Sequence, residues 1–445
     1  MNNEELSRYG RRFVRYFWDP LPRNEDTAPI WCLGQQYQSN PTFPSKTKTQ
    51  GSSNEDAAGS SVDSSISAAD SAVSAGDKKE HVPPQANESA EQDEALEKGW
   101  PAPFIEDVES KIWMTYRSDF AAIAKSQDAK AASAMSWSTR FRQLTTQEGF
   151  TTDTGFGCMI RSGQSLLANA LIAIQLGREW RKGQQVQTEK EILSLFADDP
   201  SAPFSIHRFI SHGASDCGKQ PGQWFGPSAT ARCIQILTDA HHPHNLRVYV
   251  RTDDSDVYED SFLKISRGDD NTFRPTLILL GTRLGIDRVT PVYHAALKKA
   301  LEMPQSIGIA GGRPSSSHYF IGTQGQTFFY LDPHNTRPKL PLTPSDEDVA
   351  TCHTRRLRRL DVSEMDPSML LGFLIRDEDD WKSWRASVSE PGSIGPEGKR
   401  GKPIVHIHDH EPQYTSANVG GSAEGERREA VDEVESCDED DDAGM

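Results

Sequence analysis

This sequence predicts an α+β fold, and three observations carry the prediction. Apolar residues at helical spacing dominate the foldable chain from about residue 153 to residue 240. Short apolar and aromatic runs bounded by glycine-rich or polar turns cluster later, between residues 306 and 331. Two other stretches are too polar to fold, so the 445 residues supply one domain rather than several.

In chain order, Leu6, Tyr9, Phe13, Val14, Phe17 and Trp18 fall at helical spacing, and Asp19-Pro20 ends that helix. Residues 39–99 are rich in Ser, Ala, Asp, Glu and Gly, with almost no large apolar residue after Phe43. Such a segment buries too little apolar surface to offset the entropy of ordering. Residues 1–40 are therefore expected to be the N-terminal part of the domain, 41–99 a disordered insert, 100–388 the main body and 389–445 a disordered acidic tail. Ile30-Trp31-Cys32-Leu33-Gly34 is too short to have a core of its own and is expected to pair with the main body.

Within that body, 111–116 reads as a strand, 118–124 as the start of a helix and 138–144 as a short helix or turn. Residues 153–181 hold a tight turn and a long helix. Residues 188–196 and 205–213 are helical. Residues 227–240 form a helix with Pro227 near its start, where proline is best tolerated. Strands are expected at 246–250 and 276–280, a helix at 293–301, and strands at 306–308, 318–322 and 327–331.

The formal net charge is −17, which argues against nonspecific nucleic-acid binding. The six cysteines lie far apart, with no Cys-x-x-Cys pair, which weakens zinc-knuckle and thioredoxin readings. The start of the chain lacks the basic and apolar regions of a signal peptide, and no apolar run approaches membrane-spanning length. A reducing, cytoplasmic setting is expected, and it suits a free thiol.

Chemistry concentrates in two places. Thr154-Gly155-Phe156-Gly157 is followed directly by Cys158 and then by Met159, Leu166, Leu167, Ala170, Leu171 and Ile174 at helical spacing. A thiol at a helix N-terminus sits at the positive end of the macrodipole, which favours the nucleophilic thiolate. The plain alternative is a small buried cysteine at a helix start. The second place is Asp332-Pro333-His334, at the end of the run Phe328-Phe329-Tyr330-Leu331. Proline keeps Asp332 extended, and residues two apart on an extended chain face one side. An imidazole beside a carboxylate could take the proton of a thiol. A solvated turn is the competing reading of the tripeptide. His318, at the start of the neighbouring strand, is a rival base with Asp332 as its orienter, and spacing does not decide between the two histidines.

The residues Asp153-Thr-Gly-Phe-Gly-Cys158-Met-Ile-Arg161, Gly222-Gln-Trp-Phe-Gly-Pro227, Ser317-His-Tyr-Phe-Ile-Gly322 and Leu331-Asp-Pro-His334 together resemble the autophagins, the cysteine proteases called autophagy-related protein 4. Ile30-Trp-Cys-Leu-Gly34, Ile112-Trp-Met-Thr-Tyr-Arg117 and Gly372-Phe-Leu-Ile375 before Asp379-Asp-Trp381 extend the resemblance from about Pro29 to Trp384. It implies a papain-like fold, with the nucleophile helix packed on an antiparallel sheet. It implies Cys158 as nucleophile, His334 as base, Asp332 as orienter and Tyr116 as an oxyanion donor. Trp224 and Pro314, the latter on the Gly311-Gly312-Arg313-Pro314 loop, would cover a groove that admits only glycine residues.

The implied activity is cleavage of a ubiquitin-like autophagy modifier, of the autophagy-related protein 8 class, after a glycine. Release of the same modifier from phosphatidylethanolamine follows by the same attack. No cofactor or metal is implied. A monomer is expected, in the cytoplasm, at the preautophagosomal structure and also in the nucleus, touching autophagic membranes through its lipidated substrate. Another papain-like acyl-transfer enzyme, deubiquitinating or transglutaminase-like, and a silent modifier-binding scaffold are the alternatives. An intact Cys158, Asp332 and His334 set speaks against the scaffold.

Some features stay outside this reading. His406, His408 and His410 alternate as a zinc site on a strand would require, but a solvated run is the simpler expectation. Trp18-Asp-Pro-Leu21 fits an aromatic-x-x-aliphatic pattern that such modifiers accept, but the pattern is too short to be specific, and packing of the N-terminal helix is the simpler expectation for Trp18. Thr282-Arg-Leu-Gly285 looks like a family loop without assignable chemistry. Composition makes one direct prediction. Deleting residues 47–95 should leave the thermal unfolding midpoint almost unchanged, and a fall of several degrees in a calorimetric scan would show that the insert is structural.

Overall fold

A computed structural model describes residues 21–39, 98–126, 135, 149–252, 254–312, 316–389 and 401–412. The helix expected over 5–18, the element expected over 138–144, residues 41–97 of the insert and Pro314 all lie outside the described residues.

The chain enters as a hairpin of β1 (Ile30–Cys32) and β2 (Gln35–Tyr37). Leu33 and Gly34 both take positive φ, as a two-residue hairpin turn requires. A Cβ on Gly34 would lie 2.4 Å from the Met303 carbonyl, so only glycine fits there. Helix α1 (Ala102–Glu109) follows, then β3 (Arg117–Ile123) and β4 (Phe150–Thr152). Next come α2 (Cys158–Gln175), α3 (Val186–Ser194), α4 (Ile206–Asp216) and α5 (Pro227–His241). The later half runs β5 (Arg247–Arg251), β6 (Asp256–Tyr258), α6 (Glu259–Arg267), β7 (Thr276–Arg283), α7 (His294–Glu302), β8 (Ser306–Gly311), β9 (His318–Gln324) and β10 (Thr327–Leu331). It closes with β11 (Arg337–Pro338), α8 (Asp346–Ala350), β12 (Arg358–Asp361), β13 (Ser368–Ile375), α9 (Glu378–Ser389) and β14 (His406–His408).

Nine strands form the central sheet, in the order β12-β10-β9-β8-β13-β7-β5, with β1 and β2 attached through β9. All its pairings are antiparallel except β5 with β7. Alternate residues feed two cores. Leu277 and Leu279 of β7 and Leu370 and Leu374 of β13 join α2 and α5 on one face. Ile278, Leu280, Leu371 and Phe373 join α6, α7 and α9 on the other. A strand buried on both faces reads as an unbroken apolar run rather than as an alternation. That is the pattern of Ser368–Ile375, for which no strand was expected.

Helix α2 is the central helix, and every residue from Cys158 to Ile172 is buried. It packs on β8 and β9 and ends before Gly177, whose positive φ suits a helix C-terminus. A Cβ on Gly163 would approach Thr230 Cγ2 to 2.4 Å, so the small residue lets α2 and α5 come close. Arg161, one turn into α2, is buried. Its Nε donates to Asp153 Oδ2 at 2.7 Å and its Nη1 to Gln164 Oε1 at 3.0 Å. Its Nη2 lies 2.8 Å from Asp198 Oδ1 as an ion contact rather than an aligned hydrogen bond.

Three expectations are corrected. Residues 118–124 form strand β3, not a helix, because β3 pairs with β4 on one side and β11 on the other. Residues 111–116 join no ladder. Their N–H groups bond instead to Asn169 Oδ1 and Ser165 Oγ of α2 and to the carbonyls of Cys352 and Pro333. Residues 401–412, placed in the tail by composition, pack with Ile404 and Val405 buried, and β14 pairs in parallel with β6. His408 stacks on Tyr258 there.

The buried ion cluster makes a stability prediction. Arg161→Met should lower the free energy of urea unfolding by about 3–5 kcal/mol, because it strands two buried carboxylates without their cation. A loss below about 1 kcal/mol, the range of exposed ion pairs, would contradict the role given to Arg161.

Candidate active site

The nucleophile turn is built around Asp153. Its carbonyl accepts the Gly157 N–H at 2.9 Å and the Phe156 N–H at 3.2 Å. Its carboxylate accepts the Arg117 N–H at 2.7 Å and Arg161 Nε. A Cβ on Gly157 would sit 2.3 Å from Asp153 Oδ2, so glycine is needed for the carboxylate to pass this close. The turn delivers Cys158, fully buried, to the first position of α2.

Opposite lies the end of β10. His334 Nδ1 and Asp332 Oδ1 are 2.6 Å apart, and the same carboxylate oxygen accepts the His334 backbone N–H at 3.1 Å. Trp113 Nε1 donates to the Asp332 carbonyl at 2.8 Å. The Tyr116 N–H donates to the Pro333 carbonyl at 3.0 Å, which ties the two chain segments together. The Tyr116 ring stands edge-on to the His334 ring, with centroids 5.4 Å apart. Cys158 faces this pair, and His334, the Ser317 backbone and Tyr116 act on its thiol, while His334 Nε2 is buried with no hydrogen-bond partner among the described residues.

Electrostatics follow from this geometry. Burial alone would raise the Cys158 thiol, but the nearby His334 and its positive charge outweigh it and hold the thiol below its usual value. Burial opposes the charge of His334 as well. Its bond to Asp332 and the facing Cys158 prevail and push it up to about 9. Asp332, despite its own burial, is held at about 2 by His334. Burial pushes Tyr116 well above the usual phenol range, and the Cys158 charge adds to that, so it stays protonated as a donor. The arrangement favours the thiolate form of Cys158 beside a charged imidazole and a carboxylate.

His318 stands beside this row. Its ring centroid lies 5.5 Å from that of His334 and 4.4 Å from that of Tyr330. Burial, with the His334 charge, pushes it down to about 4, so it is neutral where His334 is charged. A neutral ring supplies no charge to hold a thiolate. His318, Asp332 and His334 place ligating atoms within 4.8 Å of one another, the one set among the described residues that could hold a metal ion. The Asp332–His334 hydrogen bond already accounts for their closeness.

The structure brings Cys158, Asp332, His334 and Tyr116 together. Trp224 is half-buried against the larger core rather than standing fully exposed, and its indole Nε1 is buried with no hydrogen-bond partner among the described residues. Trp113 and the Ser317 N–H were given no role from sequence. Trp113 stood in a quoted motif, but nothing local showed that its indole reaches a carbonyl 219 residues away.

A family model described as the peptidase C54 catalytic domain matches residues 101–387. This chain belongs to the peptidase C54 family. It is 53% identical over 451 residues to a probable cysteine protease atg4 of Botryotinia fuckeliana, with 99% of each chain covered. It is 52% identical over 459 residues to a probable cysteine protease atg4 of Sclerotinia sclerotiorum, again with 99% of each covered. With the cysteine protease atg4 of Emericella nidulans the identity is 48% over 447 residues, at 99% of each chain. The chain is thus a cysteine peptidase of the Atg4 group with a papain-like α+β fold, as the motifs implied, and its place is in autophagy. Among the described residues of this C54 peptidase, no helix is long and apolar enough to cross a membrane.

The two histidines can be separated by alkylating Cys158 with iodoacetamide across pH. In the parent protein, reactivity should persist below the ordinary thiol range, and the imidazolium that holds it is lost as pH rises through about 9. His334→Ala should move the onset up by about one pH unit or more, because no cation then faces the thiolate. His318→Ala should leave the onset in place. The reverse pattern would make His318 the base.

Proposed function

We propose that Cys158 attacks the carbonyl of the C-terminal glycine of a ubiquitin-like autophagy modifier of the autophagy-related protein 8 class. The observation that carries this reading is the thiol at the head of α2 facing an imidazole anchored by Asp332 at 2.6 Å. His334 gives its proton to the departing amine, and Asp332 keeps the ring oriented for that transfer. Tyr116 O–H and the Cys158 N–H receive the oxyanion. Water, deprotonated by His334, then releases the thioester. The same sequence serves two leaving groups, a C-terminal peptide and the amine of phosphatidylethanolamine, because the acyl side is identical. No step calls on a metal or cofactor.

Trp224 and Pro314 are proposed as walls of the glycine-only channel. The half-buried Trp224 on its Gly/Pro loop supports the first of these. The protein acts as a monomer in the cytoplasm and reaches autophagic membranes through the lipidated substrate. The deciding experiment compares Cys158→Ser with the parent chain on a modifier carrying a C-terminal extension and on its lipid conjugate. Cys158→Ser should abolish both cleavages while retaining binding, whereas Cys217→Ser and Cys352→Ser keep most of the activity. Residual turnover within a few fold of the parent would remove Cys158 from the mechanism. Cleavage of ubiquitin in preference to the modifier would favour the deubiquitinating alternative.

A further inference from the structure

The open end of the β9–β10 hairpin gathers three side chains of metal-ligand type. Leu331 of β10 pairs with Tyr319 of β9, so the next residues outward, Asp332 and His318, also stand opposite each other. Cross-strand neighbours share one face of a sheet. His334, two residues beyond Asp332 on an extended chain, points to the same side. Ligating atoms of His318, Asp332 and His334 therefore come within 4.8 Å of one another, and all three residues are half-buried.

The hydrogen bond between Asp332 and His334 brings two of the three together. His318 is the member it does not explain. The contacts that hold the His318 ring are with other rings, Tyr330 at 4.4 Å and Phe320 at 6.2 Å between centroids. Its nitrogens make no hydrogen bond among the described residues. Two imidazoles and a carboxylate are a ligand set that zinc takes when three protein groups bind it and the fourth position stays open. Bonds of about 2.0–2.2 Å to nitrogen and oxygen place tetrahedral ligands about 3.3 Å apart. Asp332 Oδ1 and His334 Nδ1, now 2.6 Å apart, would separate by about 1 Å, and His318 would close by at most about 1.5 Å. Shifts of that size lie within the reach of side-chain torsions. A cavity of about 310 Å³ with Asp332 and His334 in its wall gives an entry path. Arg356 and Arg358 line the same cavity, and their charge works against a cation. Binding in the micromolar range, weaker than at a structural zinc site, is the expectation.

We propose that His318, Asp332 and His334 form an inhibitory site for a divalent metal of the zinc type. The metal takes the place of the proton shared by Asp332 and His334, and His318 completes the protein ligands. That the metal binds is independent of the reaction; that it inhibits rests on the reading of His334 as the base. With its ring fixed to the metal, His334 no longer passes a proton to the leaving amine or takes one from water.

The probe is zinc chloride in a non-chelating buffer, applied to the full chain. Calorimetric titration of the Cys158→Ser chain, which lacks the competing thiolate, should show a micromolar site. Adding His318→Gln should weaken that site about tenfold or more, since even an outer partner of a metal ligand is worth that much. In cleavage of the extended modifier, zinc should inhibit the parent and a chelator should restore the rate. The zinc concentration for half-inhibition should rise about tenfold or more in His318→Gln, whose rate without zinc stays within a few fold of the parent. Cobalt(II) added to the Cys158→Ser chain should give the strong visible absorption of tetrahedral coordination, a measurement that needs no variant at position 318. A weak octahedral spectrum, such as exposed histidines elsewhere would give, overturns the site. Equal zinc affinity with and without His318, or half-inhibition within about twofold in the two chains, also overturns it. Zinc that binds through His318 but leaves cleavage intact overturns the inhibitory role. If the parent chain cleaves nothing even with chelator present, the reading of the reaction fails instead, and the calorimetric and cobalt measurements still decide the site.

Discussion

The site depends on a buried cluster in which Arg161 meets Asp153 and Asp198. Asp153 is bonded to the backbone of Arg117 as well as to Arg161. Asp198 accepts the Leu340 N–H at 2.8 Å and donates its own N–H back to the Leu340 carbonyl. One guanidinium therefore fixes the nucleophile turn, the chain that carries Tyr116 and the segment that follows His334. Burying ions is costly unless each is paired, so the cluster tolerates few arrangements other than the one observed. That intolerance gives positional definition, which a reacting thiol requires within fractions of an ångström.

A second constraint is the way the sheet is buried. Helices cover both faces, so β10, the strand that leads into Asp332, is held by neighbours on each edge and by packing above and below. Its last residues leave the ladder at the sheet rim, where Trp113 and Tyr116 take over the backbone bonds. The chain around His334 is thus tethered on both sides of its bond to Asp332. The segment bearing Trp113 and Tyr116 forgoes a strand ladder in order to reach both the nucleophile helix and the base.

The charges in the site depend on one another. The Cys158 thiol is lowered against its own burial chiefly by His334, and His334 is raised against its own burial by Asp332 and Cys158. His318, 5.5 Å from His334, has no carboxylate at hydrogen-bond distance and does not face the thiol, and burial leaves it neutral.

What the sequence determined by itself was local. A Gly-aromatic-Gly turn before an apolar-periodic helix sets where Cys158 sits, since φ/ψ freedom and helical period are properties of adjacent residues. The proline between Asp332 and His334 makes that pair face one side for the same reason. The strands from 306 to 331 were legible because their turns are. Tertiary structure decided the rest. Residues 118–124 became a strand because two partners distant in sequence offered hydrogen bonds, and propensity yields to pairing. The strand at 368–375 was hidden because burial on both faces erases the alternation that marks a strand. The stretch 401–412 looked like tail because two buried residues, Ile404 and Val405, are too few to show in composition. The choice between His318 and His334 depends on distances between segments. Those distances exist only once the sheet has closed against α2.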